Sequence, residues 1–127
     1  MVYPERMADT SHELSTSVLR ERLEAAFPSL LDELTQLVAI PSVSSDPAHA
    51  ADVEASAEHL RERFAALGLD AKVLRETAED GTEGKPALVA HTPHIAGAPT
   101  VLLYAHHDVQ PVGELDRWSM DPYKAEV

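Results

Sequence analysis

Apolar residues recur at three- and four-residue intervals from His12 to Ala39, at Leu14, Val18, Leu19, Leu23, Phe27, Leu30, Leu31, Leu34, Leu37 and Val38. That period gathers them on one stripe of a helix and leaves acidic and basic residues on the other. Pro28 falls inside the stretch, so the pattern predicts a kink or two abutting helices near Phe27. Pro41 drives Ile40 towards extended backbone and stops the helix. Residues 1–11, ahead of the pattern, read as a disordered leader. Ser42-Val43-Ser44-Ser45-Asp46 is a polar loop, its serines best explained by capping, and Asp46-Pro47 has the form of an N-cap followed by proline in the first turn. A second helix is predicted from Pro47 to Leu67, with Val53, Ala57, Leu60, Phe64 and Leu67 as its core stripe. Gly68 stands where a left-handed residue ends a helix.

Beyond Gly68 the period changes. Leu69–Arg75 reads as a strand with Ala71 and Val73 inward, Glu76–Lys85 as an acidic turn with little structure, and Pro86–His91 as a second strand. After a loop at Thr92–Pro99, the run Val101-Leu102-Leu103-Tyr104-Ala105 is unbroken apolar sequence too short for a helix. It suits a third strand, over 100–106, buried on both faces of a mainly parallel sheet. The order helix, helix, strand, strand, strand points to an α/β layered fold: two N-terminal helices followed by strands of a mixed, largely parallel sheet. A polar connection, Val112–Arg117, then leads to Trp118, Asp121-Pro122-Tyr123 and a strand beginning at Lys124. The expectation is a domain left incomplete at Val127.

The third strand ends in chemistry. His106, His107 and Asp108 follow the apolar run, at the kind of sheet edge where α/β proteins place ligands. Side chains alternate along extended backbone, so His106 and Asp108 share one side and His107 takes the other. A neutral imidazole can give one nitrogen to a metal while its other N–H is held by a carboxylate. His106 as ligand with Asp108 as its supporting carboxylate is therefore a candidate metal-binding pair. The competing reading is a strand-end histidine bonded to a neighbour. His107 reads as a packing or hydrogen-bonded residue. His91 and His94 read as surface residues around Pro93, and Trp118 reads as an anchor for its loop.

Composition narrows the field. The 127 residues suffice for one modest domain, and a net charge of −12 makes nucleic acid and anionic membrane surfaces poor partners. The chain has no cysteine, so a metal would be held by His and carboxylate. No basic-then-apolar leader is visible, which favours the cytoplasm. No glycine-rich phosphate loop or nucleophile-elbow serine occurs.

Tyr104-Ala105-His106-His107-Asp108-Val109-Gln110-Pro111 resembles the first metal motif of the zinc-dependent aminoacylase/dipeptidase family, which includes carnosinase-like dipeptidases, acetylornithine deacetylase and succinyl-diaminopimelate desuccinylase. Leu37-Val38-Ala39-Ile40-Pro41-Ser42-Val43-Ser44 resembles the family's helix-end signature, and Trp118 with Asp121-Pro122-Tyr123 its Trp…Pro-aromatic segment. The resemblance spans most of residues 28–127. It implies a zinc-exopeptidase, phosphorylase/hydrolase-like catalytic domain, of which residues 12–127 are the N-terminal, truncated part. It also implies two zinc ions (cobalt and manganese accept the same donors), a small peptide or N-acyl amino acid substrate, a homodimer, His106 as metal ligand and Asp108 as catalytic carboxylate. The family's other ligands have no counterpart before Val127, so the isolated piece is expected to be inactive. The alternative is a non-catalytic α/β binding or assembly domain that keeps the scaffold.

Overall fold

The computed structural model describes residues 15–125; the leader at 1–11, His12 and the last two residues lie outside them. The chain divides into two compact units, Met1–Glu33 and Leu34–Val127.

Helix α1 runs Thr16–Val38. Ser15 starts it: its carbonyl accepts from the Leu19 amide at 3.1 Å, and its hydroxyl oxygen lies 3.4 Å from the Val18 amide. Pro28 sits within a single continuous helix, so the expected pair of abutting helices does not form. The apolar stripe is present but not buried: Leu19, Leu23, Phe27 and Leu30 are all exposed.

The second unit holds the core. Pro41 ends α1, and two tight turns follow, with the Ser42 amide bonded to Ile40 O at 2.7 Å and the Val43 amide to Pro41 O at 2.8 Å. Asp46 then accepts from the Ala48 amide at 2.9 Å and caps a short 3₁₀ turn, Pro47–His49, that runs on into helix α2, Ala50–Ala66. Gly68, at φ +84°, closes α2. Its amide bonds Ala65 O at 2.9 Å and that of Leu69 bonds Phe64 O at 3.1 Å, the paired bonds of a Schellman motif. Val53 and Ala57 are buried as their spacing requires, Leu60 and Phe64 are half-buried, and Leu67 is exposed. Ser56, one position from Ala57 and polar, is also fully buried.

Strands β1 (Asp70–Leu74) and β2 (Ala87–His91) pair antiparallel, with Ala71 opposite Ala90 and Val73 opposite Leu88. These four point inward against α2, while Lys72 and Val89 face solvent. Arg75 and Glu54 form an ion pair between the end of β1 and α2. The connection between the strands is better ordered than its composition suggested. Thr77 bridges Glu83, Gly81 turns at φ +85°, and the Gly84 amide bonds Glu76 O at 2.7 Å.

The sheet corrects the expected architecture. Among the described residues it has two strands, antiparallel, rather than a mixed and largely parallel set. A hairpin-like return joins β1 to β2 directly, and parallel pairing would need a crossover that the chain lacks between them. Residues 100–106 form no strand, since no neighbouring strand offers a ladder. Val101, Leu102, Leu103 and Tyr104 are 76–92% exposed. Neither is there a strand at Lys124–Ala125.

Gly68→Ala places a Cβ in a left-handed residue and should cost about 1–2 kcal/mol, read as a lowered urea midpoint at unchanged m-value. An unchanged midpoint would show that the Schellman turn contributes nothing.

Candidate metal centre

The core is built around a crossing of two segments distant in sequence. Val43 and Val109 form a parallel bridge, and the Val109 amide donates to Ser42 O at 3.1 Å. Val43 is buried in the same core as Val53 and Ala57 of α2, so the turn after Pro41 is seated on the helix and the 107–109 segment is seated on the turn.

His107 is the buckle. Its Nε2 lies 3.2 Å from the carbonyl oxygen of Pro86, a pure acceptor, so Nε2 carries the proton. Nδ1 is then the accepting nitrogen, and the hydroxyl of Ser56, 3.1 Å away, donates to it. Ser56 also lies 3.2 Å from the His107 carbonyl, which accepts from the Ser42 hydroxyl at 3.2 Å. His107 thus links three segments, its ring reaching α2 and the residue before β2, and its backbone carbonyl the loop after α1. Ser42 and Ser56 are wholly buried with their polar atoms satisfied, as buried hydroxyls must be.

With His107 turned inward, its neighbours face the other way. His106 Nδ1 lies 3.0 Å from Asp108 Oδ1 and 2.9 Å from the Asp108 backbone oxygen. A carboxylate and a carbonyl both only accept, so in the neutral ring Nδ1 holds the proton and the lone pair is on Nε2. The two adjacent histidines are therefore in opposite tautomers. Nε2 of His106 has no hydrogen-bond partner among the described residues, and the side chain is 75% exposed. Asp108 is held from its other oxygen: Ser44 donates to Oδ2 at 2.5 Å. That bond, followed by the contact with His106, holds the Asp108 carboxyl below the ordinary carboxylate range, outweighing the opposing effect of burial.

The remaining candidates fall apart from this group. His91 is exposed and pairs with Asp70 at 3.3 Å, and His49, just ahead of α2, pairs with Asp52 of its first turn at 2.7 Å. Among the described residues no three His, Asp or Glu side chains gather into a metal-holding group. Trp118 anchors its loop by donating Nε1–H to Val112 O at 2.9 Å, but it remains half exposed rather than joining the core. Sequence reasoning missed the serines. Ser42 and Ser44 do not cap a helix but tie the turn to His107 and Asp108, because the turn is buried against the motif. Ser56 sat unnoticed on the apolar face of α2 at the spacing of a core residue.

No family model matches the chain. It is 30% identical over 121 residues to a Cys-Gly metallodipeptidase of Candida albicans, covering 90% of this chain and 25% of that protein. A cysteinylglycine-S-conjugate dipeptidase of Corynebacterium striatum is 31% identical over 91% of the chain and 23% of its own length. A succinyl-diaminopimelate desuccinylase of Parvibaculum lavamentivorans is 35% identical over 76% of the chain and 22% of its own length. The chain is homologous to metallodipeptidases. It spans about a quarter of the length of the curated relatives it matches. The solved structure of the di-peptidase Dug1p from Saccharomyces cerevisiae aligns with a TM-score of 0.77 at 26% identity, over 87% of this chain and 24% of that one. The helices and two-stranded sheet are thus similar to part of the Dug1p fold.

Two outcomes follow. Ser56→Ala removes the buried hydroxyl that donates to the His107 ring and should cost about 1–3 kcal/mol in chemical denaturation; a loss near zero would show the buckle to be idle. Because the Asp108 pKa is lowered on folding, its contribution is whole above the ordinary carboxylate value and is lost as pH falls through the folded one. Ser44→Ala should raise the Asp108 pKa in carboxyl ¹³C NMR, and its destabilisation should shrink on acidification; a pH-independent penalty would contradict this.

Proposed function

We propose that this chain forms the N-terminal part of the catalytic domain of a dinuclear zinc metallopeptidase that hydrolyses dipeptides or N-acyl amino acids. One observation carries the reading: the His106 ring, fixed through Nδ1 by Asp108, presents a free Nε2 lone pair to solvent within a segment homologous to metallodipeptidases. An oriented neutral imidazole backed by a carboxylate is the donor chemistry such a centre requires. The residues present fit one corner of it. His106 would hold a metal ion and Asp108 would hold the ring. When bound, a dinuclear centre supplies Lewis acidity and a water acidified for attack on the scissile carbonyl.

One imidazole does not make a site, because zinc takes about four ligands or three and a water. The other donors belong to polypeptide outside these 127 residues, and two features support that. The relatives are about four times longer than the segment they share with this chain. Four consecutive large apolar side chains, Val101–Tyr104, also stand in solvent beside the candidate ligand, as a central strand would without its sheet. The acidic chain, net charge −12, suits a small-molecule substrate rather than nucleic acid. Among the described residues no helix is long and apolar enough to cross a membrane. A homodimeric cytoplasmic enzyme completes the reading.

Calorimetric titration of the 127-residue chain with zinc should show no tight binding and dipeptide hydrolysis should be absent. In the polypeptide that includes the remaining ligands, Asp108→Asn should weaken metal affinity about 10–100-fold. Unchanged affinity there, or a gene that supplies no further His, Asp or Glu ligands, would overturn the reading in favour of a non-catalytic domain on the same scaffold.

A further inference from the structure

Asp108 has two oxygens and two side-chain partners. The ring of His106 takes Oδ1 at 3.0 Å, and the hydroxyl of Ser44, 64 positions earlier in the chain, takes Oδ2 at 2.5 Å. A carboxylate held by one oxygen is free to rotate about its Cβ–Cγ bond and to swing away from the imidazole. Held by both, it has a fixed plane, and Oδ1 stays on the line of the His106 N–H. The anchor for this hold is rigid. Ser44 follows buried Val43, whose bridge to Val109 and neighbouring Ser42 O···Val109 N–H bond of 3.1 Å fix the turn against the backbone that bears Asp108.

We propose that Ser44 is a positioning residue: by clamping Asp108 it holds His106 in the Nδ1–H tautomer and so keeps the Nε2 lone pair outward for a metal ion. The proposal rests on the metallopeptidase reading for its purpose but not for its test, which needs no metal. The backbone oxygen of Asp108, also 2.9 Å from His106 Nδ1, is a neutral acceptor competing for the same proton. The carboxylate is the stronger acceptor because it is charged. Ser44 determines whether that charge stays in place.

The test is ¹⁵N NMR of the metal-free 127-residue chain, labelled at histidine, at a pH where His106 is neutral. The wild type should show His106 predominantly as the Nδ1–H tautomer, the reverse of the form free imidazole side chains prefer in water. Ser44→Ala should make that tautomer the minor form, and Ser44→Thr, which keeps the hydroxyl, should restore it. Ser42→Ala loosens the same crossing by removing the bond to the His107 carbonyl but leaves the Asp108 clamp, and should leave the His106 tautomer unchanged. An Nε2–H tautomer in the wild type overturns the proposal whether or not the variants fold. So does an equal change in Ser42→Ala and Ser44→Ala, which would make Ser44 merely part of the packing. If the tautomer behaves as stated but the complete protein binds no metal, the metallopeptidase reading fails and the clamp stands.

Discussion

The structure depends on the seating of one turn against one extended segment. Residues 42–44 meet residues 107–109 through a parallel bridge, an amide-to-carbonyl bond, and hydroxyls directed at His107 and Asp108. Everything chemical follows from that contact. His107 is drawn inward to Ser56 and Pro86, while His106 is left exposed beside it and Asp108 sits half-buried between the His106 ring and Ser44. The inward histidine is fixed by buried partners, and the outward one by Asp108, which Ser44 holds in turn.

The core that makes this contact is small and partly polar. Val43, Val53 and Ala57 are its apolar members, and Ser42 and Ser56 are buried among them. A hydroxyl buried without a partner is costly, whereas one that bonds a specific ring or carbonyl ties its position to that group. The serines therefore specify which segment crosses α2, and in what register, where aliphatic side chains alone would tolerate slippage. The rest of the apolar sequence is not yet used. Leu19, Leu23, Phe27 and Leu30 of α1 and the run Val101–Tyr104 remain in solvent.

Local features were legible in the sequence because local physics sets them. The helix periods, the Asp46-Pro47 start, the Gly68 stop and the inward alternation of Ala71 and Val73 all depend on neighbours within a few positions. The pairing of His106 with Asp108 was legible too, since two residues apart on extended backbone is a local relation. What failed was long-range. An apolar run reads as a buried strand only if other strands flank it, and the sheet order depends on partners far along the polypeptide. The serines were misread for the same reason: a hydroxyl that caps and a hydroxyl that reaches 64 positions away have identical local sequence. Two of the blocks that carry the family resemblance, at 37–44 and 104–111, prove to be the two sides of the crossing.

On the proposed function, His106 offers Nε2, and not Nδ1, to a metal. The most direct measurement is ¹¹³Cd–¹⁵N coupling in histidine-labelled protein that carries this chain together with its remaining catalytic segment, with cadmium in place of zinc. A one-bond coupling to Nε2 of His106 is expected, with Nδ1 still protonated against Asp108. Coupling through Nδ1, or a cadmium-loaded protein in which His106 shows no coupling, would contradict it.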